Sequence, residues 1–121
     1  MSFLVHVSTH LDGNYGREIQ RGVATYALEH PQWRVVPYPL HSAENKSMPL
    51  LPPAGLILQA NAPKYTEWAE NLACPVVNVS SILEIGAFPT VTNDNHAIGQ
   101  MAAEYFLDAH FASYAWSGTP F

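Results

Sequence analysis

The stretch from Phe3 to Tyr38, FLVHVSTHLDGNYGREIQRGVATYALEHPQWRVVPY, changes its periodicity twice. Phe3–Ser8 is a short β-rich apolar run ended by polar residues, the pattern of a strand. His10–Asn14, HLDGN, is turn chemistry. From Tyr15 the apolar positions Tyr15, Ile19, Val23, Tyr26 and Ala27 recur at threes and fours. That spacing predicts an amphipathic helix ending near His30, where Pro31 stops it. Trp33–Tyr38 is a second strand, moved toward a sheet edge by Pro37. Strand, helix, strand in this order predicts two parallel strands joined by a crossover helix.

The alternation continues to the end of the chain. Ala54–Ala60 (AGLILQA) is a third strand, apolar enough to be buried on both faces. Ala62–Ala73 is a short helix with Tyr65, Trp68, Ala69 and Leu72 inward. Pro75–Ser81 (PVVNVSS) is a fourth strand, and Phe88–Asp94 is a brief extended piece. Asn95–Phe111 carries Ile98, Met101, Ala102, Tyr105 and Phe106 on one stripe, predicting a helix. Ser113–Gly118 is a fifth strand. The strand centres are expected at Leu4–Val7, Arg34–Pro37, Leu56–Leu58, Val76–Val79 and Ser113–Trp116. The fold class that follows is α/β: a flavodoxin-like, three-layer half-domain with a parallel sheet in the order 2-1-3-4-5. Its switch point lies between the first and third strands, and ligands of open α/β sheets bind there, outside the carboxyl ends of the strands.

Composition narrows the function. A chain of 121 residues is one domain's worth. Only 12% of its residues are charged, against about 25% in a typical domain. A surface that poor in charge suggests cover by a partner subunit or by a missing lobe, and a homodimer through one helical flank is expected, with the first helix and Pro63–Asn71 as candidate surfaces. The net charge is −5, with five Lys plus Arg, which argues against nucleic-acid binding by this chain, since phosphate neutralisation needs clustered cations. The single Cys74 has no partner for an internal disulfide and reads as buried and inert. The start of the chain has neither a basic region nor an apolar run long enough for a signal peptide. No stretch is long and apolar enough to span a membrane. A soluble cytoplasmic protein is expected, with no membrane partner.

Thr9, His10, Asp12, Asn14 and Tyr15 follow the first strand, Gln59 and Asn61 the third, and Ser80 and Ser81 the fourth. Asn93, Asp94 and Asn95 precede the last helix. Amides, hydroxyls, a carboxylate or two and an aromatic ring suit a neutral polyhydroxylated ligand, because each sugar hydroxyl both donates and accepts. The candidate ligand-binding set is Thr9, Asn14, Tyr15, Gln59, Ser80 and Asp94. The same residue types also serve as turn formers and helix caps, and Asp94 or Asn95 could be the cap of the last helix.

Enzyme readings find less support. The first turn, STHLDGNYG (Ser8–Gly16), is neither a dinucleotide-binding glycine motif nor a P-loop. The acidic residues of a phospho-acceptor receiver are missing from the ends of the first and third strands. The six histidines are scattered without metal-ligand spacing, and His6 on a buried strand reads as a core histidine. No catalytic set, metal site or cofactor is expected.

Three stretches resemble a known group of proteins. Asn14–Val35 (NYGREIQRGVATYALEHPQWRV) carries Tyr15, Gly16, Arg17, Arg21, Gly22, Ala24, Tyr26, His30 and Trp33. Cys74–Ser81 (CPVVNVSS) and Phe88–Gly118 (FPTVTNDNHAIGQMAAEYFLDAHFASYAWSG) match as well. Together they are similar to the sensor half of AraC-type transcription regulators of the xylose-operon (XylR) kind, which has a LacI-like, periplasmic-binding-protein fold. The resemblance covers nearly the whole chain except about His41 to Pro53. It implies that residues 1–121 are the N-terminal lobe of a two-lobed domain closing on xylose or a related pentose. It also implies that the chain leads across a hinge into a second lobe, and that DNA is bound only through a helix-turn-helix domain outside this chain. Asp94 takes the place of the family's Asp, while Asn93 stands where its pattern has Thr. One lobe alone is expected to bind sugar weakly. A stand-alone flavodoxin-like module, either a small enzyme or a protein-interaction domain, is the alternative.

Overall fold

A computed structural model of the chain describes residues 2–40, 48–49, 51–82 and 88–110. Four strands form one parallel sheet: β1 (Phe3–Ser8), β2 (Trp33–Pro37), β3 (Gly55–Leu58) and β4 (Val76–Asn78), in the order β2-β1-β3-β4. Three helices accompany them: α1 (Asn14–Glu29), α2 (Pro63–Glu70) and α3 (Asn95–Asp108). The α/β class, the parallel sheet and the switch point between β1 and β3 are as the sequence pattern predicts. The fifth strand expected at Ser113–Trp116 lies outside the described residues. Beyond β4 the sheet is continued by a single parallel bridge from Asn78 to Thr90.

Register puts Val5 opposite Val35 and Gly55, and Leu56 opposite His6 and Val76. Side chains alternate across each strand, so the sheet has two faces that are covered unequally. One face packs against α2. Its core holds Leu40, Leu56, Leu58, Ala60, Tyr65, Trp68, Ala69, Leu72 and Val76. This helix starts at Pro63, whose fixed φ suits a first helical position, and its apolar side is spent on the core, as predicted. That leaves little of it for the dimer contact expected of this segment. His6 is buried on the same face, with its ring stacked on Tyr38 at 4.8 Å; Tyr38 in turn stacks on Trp68 at 6.0 Å. Burial pushes the His6 imidazole below its ordinary pKa, because the charged form loses its water. Burial likewise raises the Cys74 thiol, which fits an inert cysteine.

The other face carries α1. The helix begins after Gly13, which is extended, and the Arg17 guanidinium returns to the Leu11 carbonyl at 2.8 Å. It ends in an aromatic clasp. The His30 ring stacks on Tyr26 at 3.8 Å, and Trp33, the first residue of β2, meets Tyr26 edge-on at 4.9 Å. His30 Nδ1 also lies 2.8 Å from the Tyr26 carbonyl. The Tyr-His-Trp spacing in this stretch is therefore a device for turning a helix into a strand.

The last helix lies where its periodicity places it. Its stripe of Ile98, Met101, Ala102, Tyr105 and Phe106 is not covered, and α3 contains no buried residue. Met101 is 69% exposed and Tyr105 68%. Amphipathic spacing shows that a helix has an apolar side and leaves open what that side meets. Among the described residues, no helix is long and apolar enough to cross a membrane.

Candidate functional site

The carboxyl ends of β1, β3 and β4 come together at one edge of the sheet, held there by a network of neutral groups. The backbone N–H of His10 donates to Gln59 Oε1 at 2.8 Å, and His10 Nε2 lies 2.9 Å from Asn61 Oδ1. These two contacts tie the loop after β1 to the loop after β3. The His10 ring also meets Tyr65 edge-on at 5.7 Å. The Tyr15 hydroxyl donates to the carbonyl of Val79, joining the start of α1 to the exit of β4.

Asn78 is the hub of this edge. It is fully buried at the end of β4. Its Oδ1 accepts from the backbone N–H groups of Ala60 at 3.2 Å and Ser80 at 3.0 Å. Its Nδ2 donates to the Ser80 carbonyl at 2.8 Å and to Thr90 Oγ1 at 3.2 Å. One amide thus uses both lone pairs and both hydrogens, and three chain segments depend on it. The candidate set omits Asn78, although a lone amide in the apolar run VVNV was a readable signal: a buried Asn must be fully paired.

Gly16 performs a related task by having no side chain. A Cβ at this position would lie 2.9 Å from the carbonyl carbon of His10 and 3.0 Å from Gln59 Oε1, and would collide with the His10 carbonyl oxygen. Its φ is not positive, so close approach is the reason for the glycine. The Thr9 hydroxyl donates to the Gly16 carbonyl at 3.0 Å across the same contact.

The six predicted site residues divide into four groups. Tyr15 and Gln59 lie at the shared edge and keep some exposure, Tyr15 39% and Gln59 partly buried. Asn14 is exposed at the start of α1. Thr9 and Ser80 are buried; the Thr9 hydroxyl is committed to Gly16, and Ser80 Oγ accepts from the Ile82 N–H at 3.3 Å. Asp94 is exposed and caps α3, its carboxylate accepting the Ala97 N–H at 3.0 Å. A capping role was one reading of Asp94, and it is the one its geometry displays. Asn95 Nδ2 lies 3.5 Å from Ser81 Oγ, linking that cap to the β4 exit.

Chemically, the edge offers amides, a phenol, an imidazole and backbone groups. The His10 imidazole faces an amide, not a hydroxyl or thiol that it could activate as a nucleophile. Among the described residues, no three His, Cys, Asp or Glu side chains are grouped as metal ligands would be. Searches against known protein families, curated proteins and solved structures find no match for the chain.

Proposed function

We propose that the chain is the first lobe of a sugar-sensing domain from a cytoplasmic, non-enzymatic transcription regulator of the AraC-type, xylose-operon kind. Xylose or a related pentose would bind between this lobe and a second one, and closure would control a DNA-binding domain outside this chain. The observation that carries the reading is the amide-rich edge at the carboxyl ends of three parallel strands, where His10, Gln59 and Asn61 are linked, the Tyr65 ring meets His10 and the Tyr15 hydroxyl reaches the β4 exit. Sugar hydroxyls pair with amides and imidazole, and an aromatic ring covers a sugar's apolar face. The low charge fits a neutral ligand better than a phosphorylated one. The three sequence stretches that resemble xylose-operon regulators support the reading independently of the geometry.

One lobe supplies about half the contacts. If an intact sensor binds at ~1 μM, about −8 kcal/mol, half of that leaves about −4 kcal/mol and a Kd near 1 mM. Titrating xylose against the isotope-labelled chain by NMR tests this. Shifts at the amides of Tyr15, Gln59, Asn61 and Ser80 with a midpoint of a few mM are expected. A midpoint of tens of micromolar would show that one lobe suffices. Flat amide shifts up to ~100 mM, some 100 times that Kd, would remove the sugar reading.

A further inference from the structure

His10 decides which way two amides face. Its backbone N–H can only donate, and it lies 2.8 Å from Gln59 Oε1. The oxygen arm of Gln59 is therefore the arm turned inward, since the reverse orientation would set donor against donor. Gly16 leaves the space for that arm: a Cβ there would lie 3.0 Å from the same oxygen. Asn61 is held in the same sense. Its Oδ1 lies 2.9 Å from His10 Nε2, and with an oxygen in that place the ring carries its proton on Nε2 and donates it. The Asn61 backbone N–H donates to the Gln59 carbonyl at 3.1 Å, which sets one amide beside the other.

A primary amide carries its lone pairs and its two hydrogens on different arms of one carbon. His10 takes up the oxygen arms of both residues. Among the described residues, the nitrogen arms of Gln59 and Asn61 have no hydrogen-bond partner, and both residues are half-buried. Asn78 is the contrast, with both arms spent inside the fold. Two oriented N–H pairs are thus left over outside the carboxyl end of β3.

We propose that Gln59 is a specificity-determining residue of this lobe, and that it reads its ligand by donating. The inference rests on the sugar reading above and adds the sense of the hydrogen bonds: oxygens of the sugar accept from Gln59, with Asn61 donating alongside. The ligand class this favours has lone pairs at that point, a hydroxyl or a ring oxygen. A protonated amine placed there has only hydrogens to offer and is rejected. The adjoining loops carry Asp12 and Asp94, both exposed. Their carboxylates do not compete for the role of Gln59, because they accept where it donates.

The test is Gln59→Glu in the 121-residue chain. A carboxylate keeps an oxygen for the His10 N–H and exchanges the outward donor for an acceptor. The loop contact survives while the outer hydrogen bond is lost. Titration with xylose by NMR should give a Kd roughly tenfold weaker than the parent's, moving from ~1 mM to ~10 mM or beyond. The sugar-free backbone amide shifts of residues 8–16 should stay close to the parent's. A second measurement uses the parent chain and holds even where the variant fails to fold. The side-chain N–H signals of Gln59 should move with xylose at the same midpoint as the backbone amides of Tyr15 and Ser80. A folded Gln59→Glu whose Kd is within about twofold of the parent's, or side-chain signals that stay still while the backbone amides move, would overturn the proposal and leave the sugar reading in place. A parent chain that does not respond to xylose removes the sugar reading and this inference with it.

Discussion

Two glycines six residues apart on α1 should respond to the same substitution with opposite signs. Gly16→Ala places a methyl group against the His10 carbonyl, 2.9 Å from its carbon and 3.0 Å from Gln59 Oε1. Ordinary carbon–oxygen contacts lie near 3.3 Å or beyond, so α1 must move away from the β1–α1 loop. That movement stretches the Thr9–Gly16 hydrogen bond, now 3.0 Å, and the Tyr15–Val79 bond beside it. Two weakened hydrogen bonds cost about 2 kcal/mol together, and overpacking costs about 2 more. The better helix propensity of alanine returns about 1 kcal/mol. The net expectation is a loss of about 3 kcal/mol. At Gly22 a methyl meets nothing within 4 Å, so Gly22→Ala keeps only the propensity term and gains about 1 kcal/mol.

The difference between the two variants is therefore about 4 kcal/mol for one added methyl in one helix. Urea unfolding followed by tryptophan fluorescence and circular dichroism measures it. At roughly 4 °C per kcal/mol for a chain of this size, Gly22→Ala should melt about 4 °C above the parent and Gly16→Ala about 12 °C below it. Equal stabilisation of both would mean that α1 does not approach His10 as described, and the candidate site would lose the contact that positions its first loop. Destabilisation by both would mean that the space at Gly22 is already filled.

The remaining expectations follow from single groups. Asn78→Ala removes the partner of two backbone N–H groups and a carbonyl at the buried carboxyl edge, for a loss of about 3 kcal/mol in urea unfolding; a loss below about 1 kcal/mol would mean that water replaces the amide. His6, held below its ordinary pKa by burial, contributes stability that is complete above the unfolded value near ~6.5 and lost as pH falls through it, since the unfolded chain then takes up the proton more readily. Urea midpoints should therefore decline from about pH 8 to pH 5, and His6→Phe should flatten the decline; an unchanged slope would assign it to other groups. Asp94→Ala removes the cap of α3 and should weaken that helix by about 1 kcal/mol, while Asp94→Ser restores most of it. Amide exchange at residues 97–100 reads this directly, and equal protection in all three proteins would count against the cap.

The parts of this structure that were legible in the sequence are those whose cause is local. Phe3–Ser8 and Pro63–Glu70 fall where their periodicity puts them, because each buries its apolar side on the nearest layer. Gln59 and Tyr15 were readable as edge residues because strand ends are readable. Which groups pair at that edge was not. His10 meets Asn61 across 51 residues of chain, and Tyr15 meets Val79 across 64; no spacing rule reaches that far. Thr9 and Ser80 have the chemistry of a sugar site, yet that chemistry is used inside the fold. A hydroxyl in a strand-end loop serves a ligand or the backbone, and only its burial decides between them.

The stripe on α3 marks the boundary most clearly. Ile98, Met101, Ala102 and Tyr105 specify an apolar side as plainly as Tyr65, Trp68 and Ala69 do on α2, yet the first set is exposed and the second buried. Periodicity fixes the helix and the side that must leave water; the connection fixes where that side can go. α2 follows β3 through a short turn at Asn61 and Ala62 and falls onto the adjacent face. α3 follows an extended piece bound at the sheet edge by Asn78 and begins at a cap beside Ser81. Leaving a stripe of that size in water costs about 25 cal/mol per Å² of apolar area, so the exposed side of α3 represents free energy still to be gained. Asp94, whose carboxylate has the chemistry of a sugar ligand, is the cap from which that exposed helix starts.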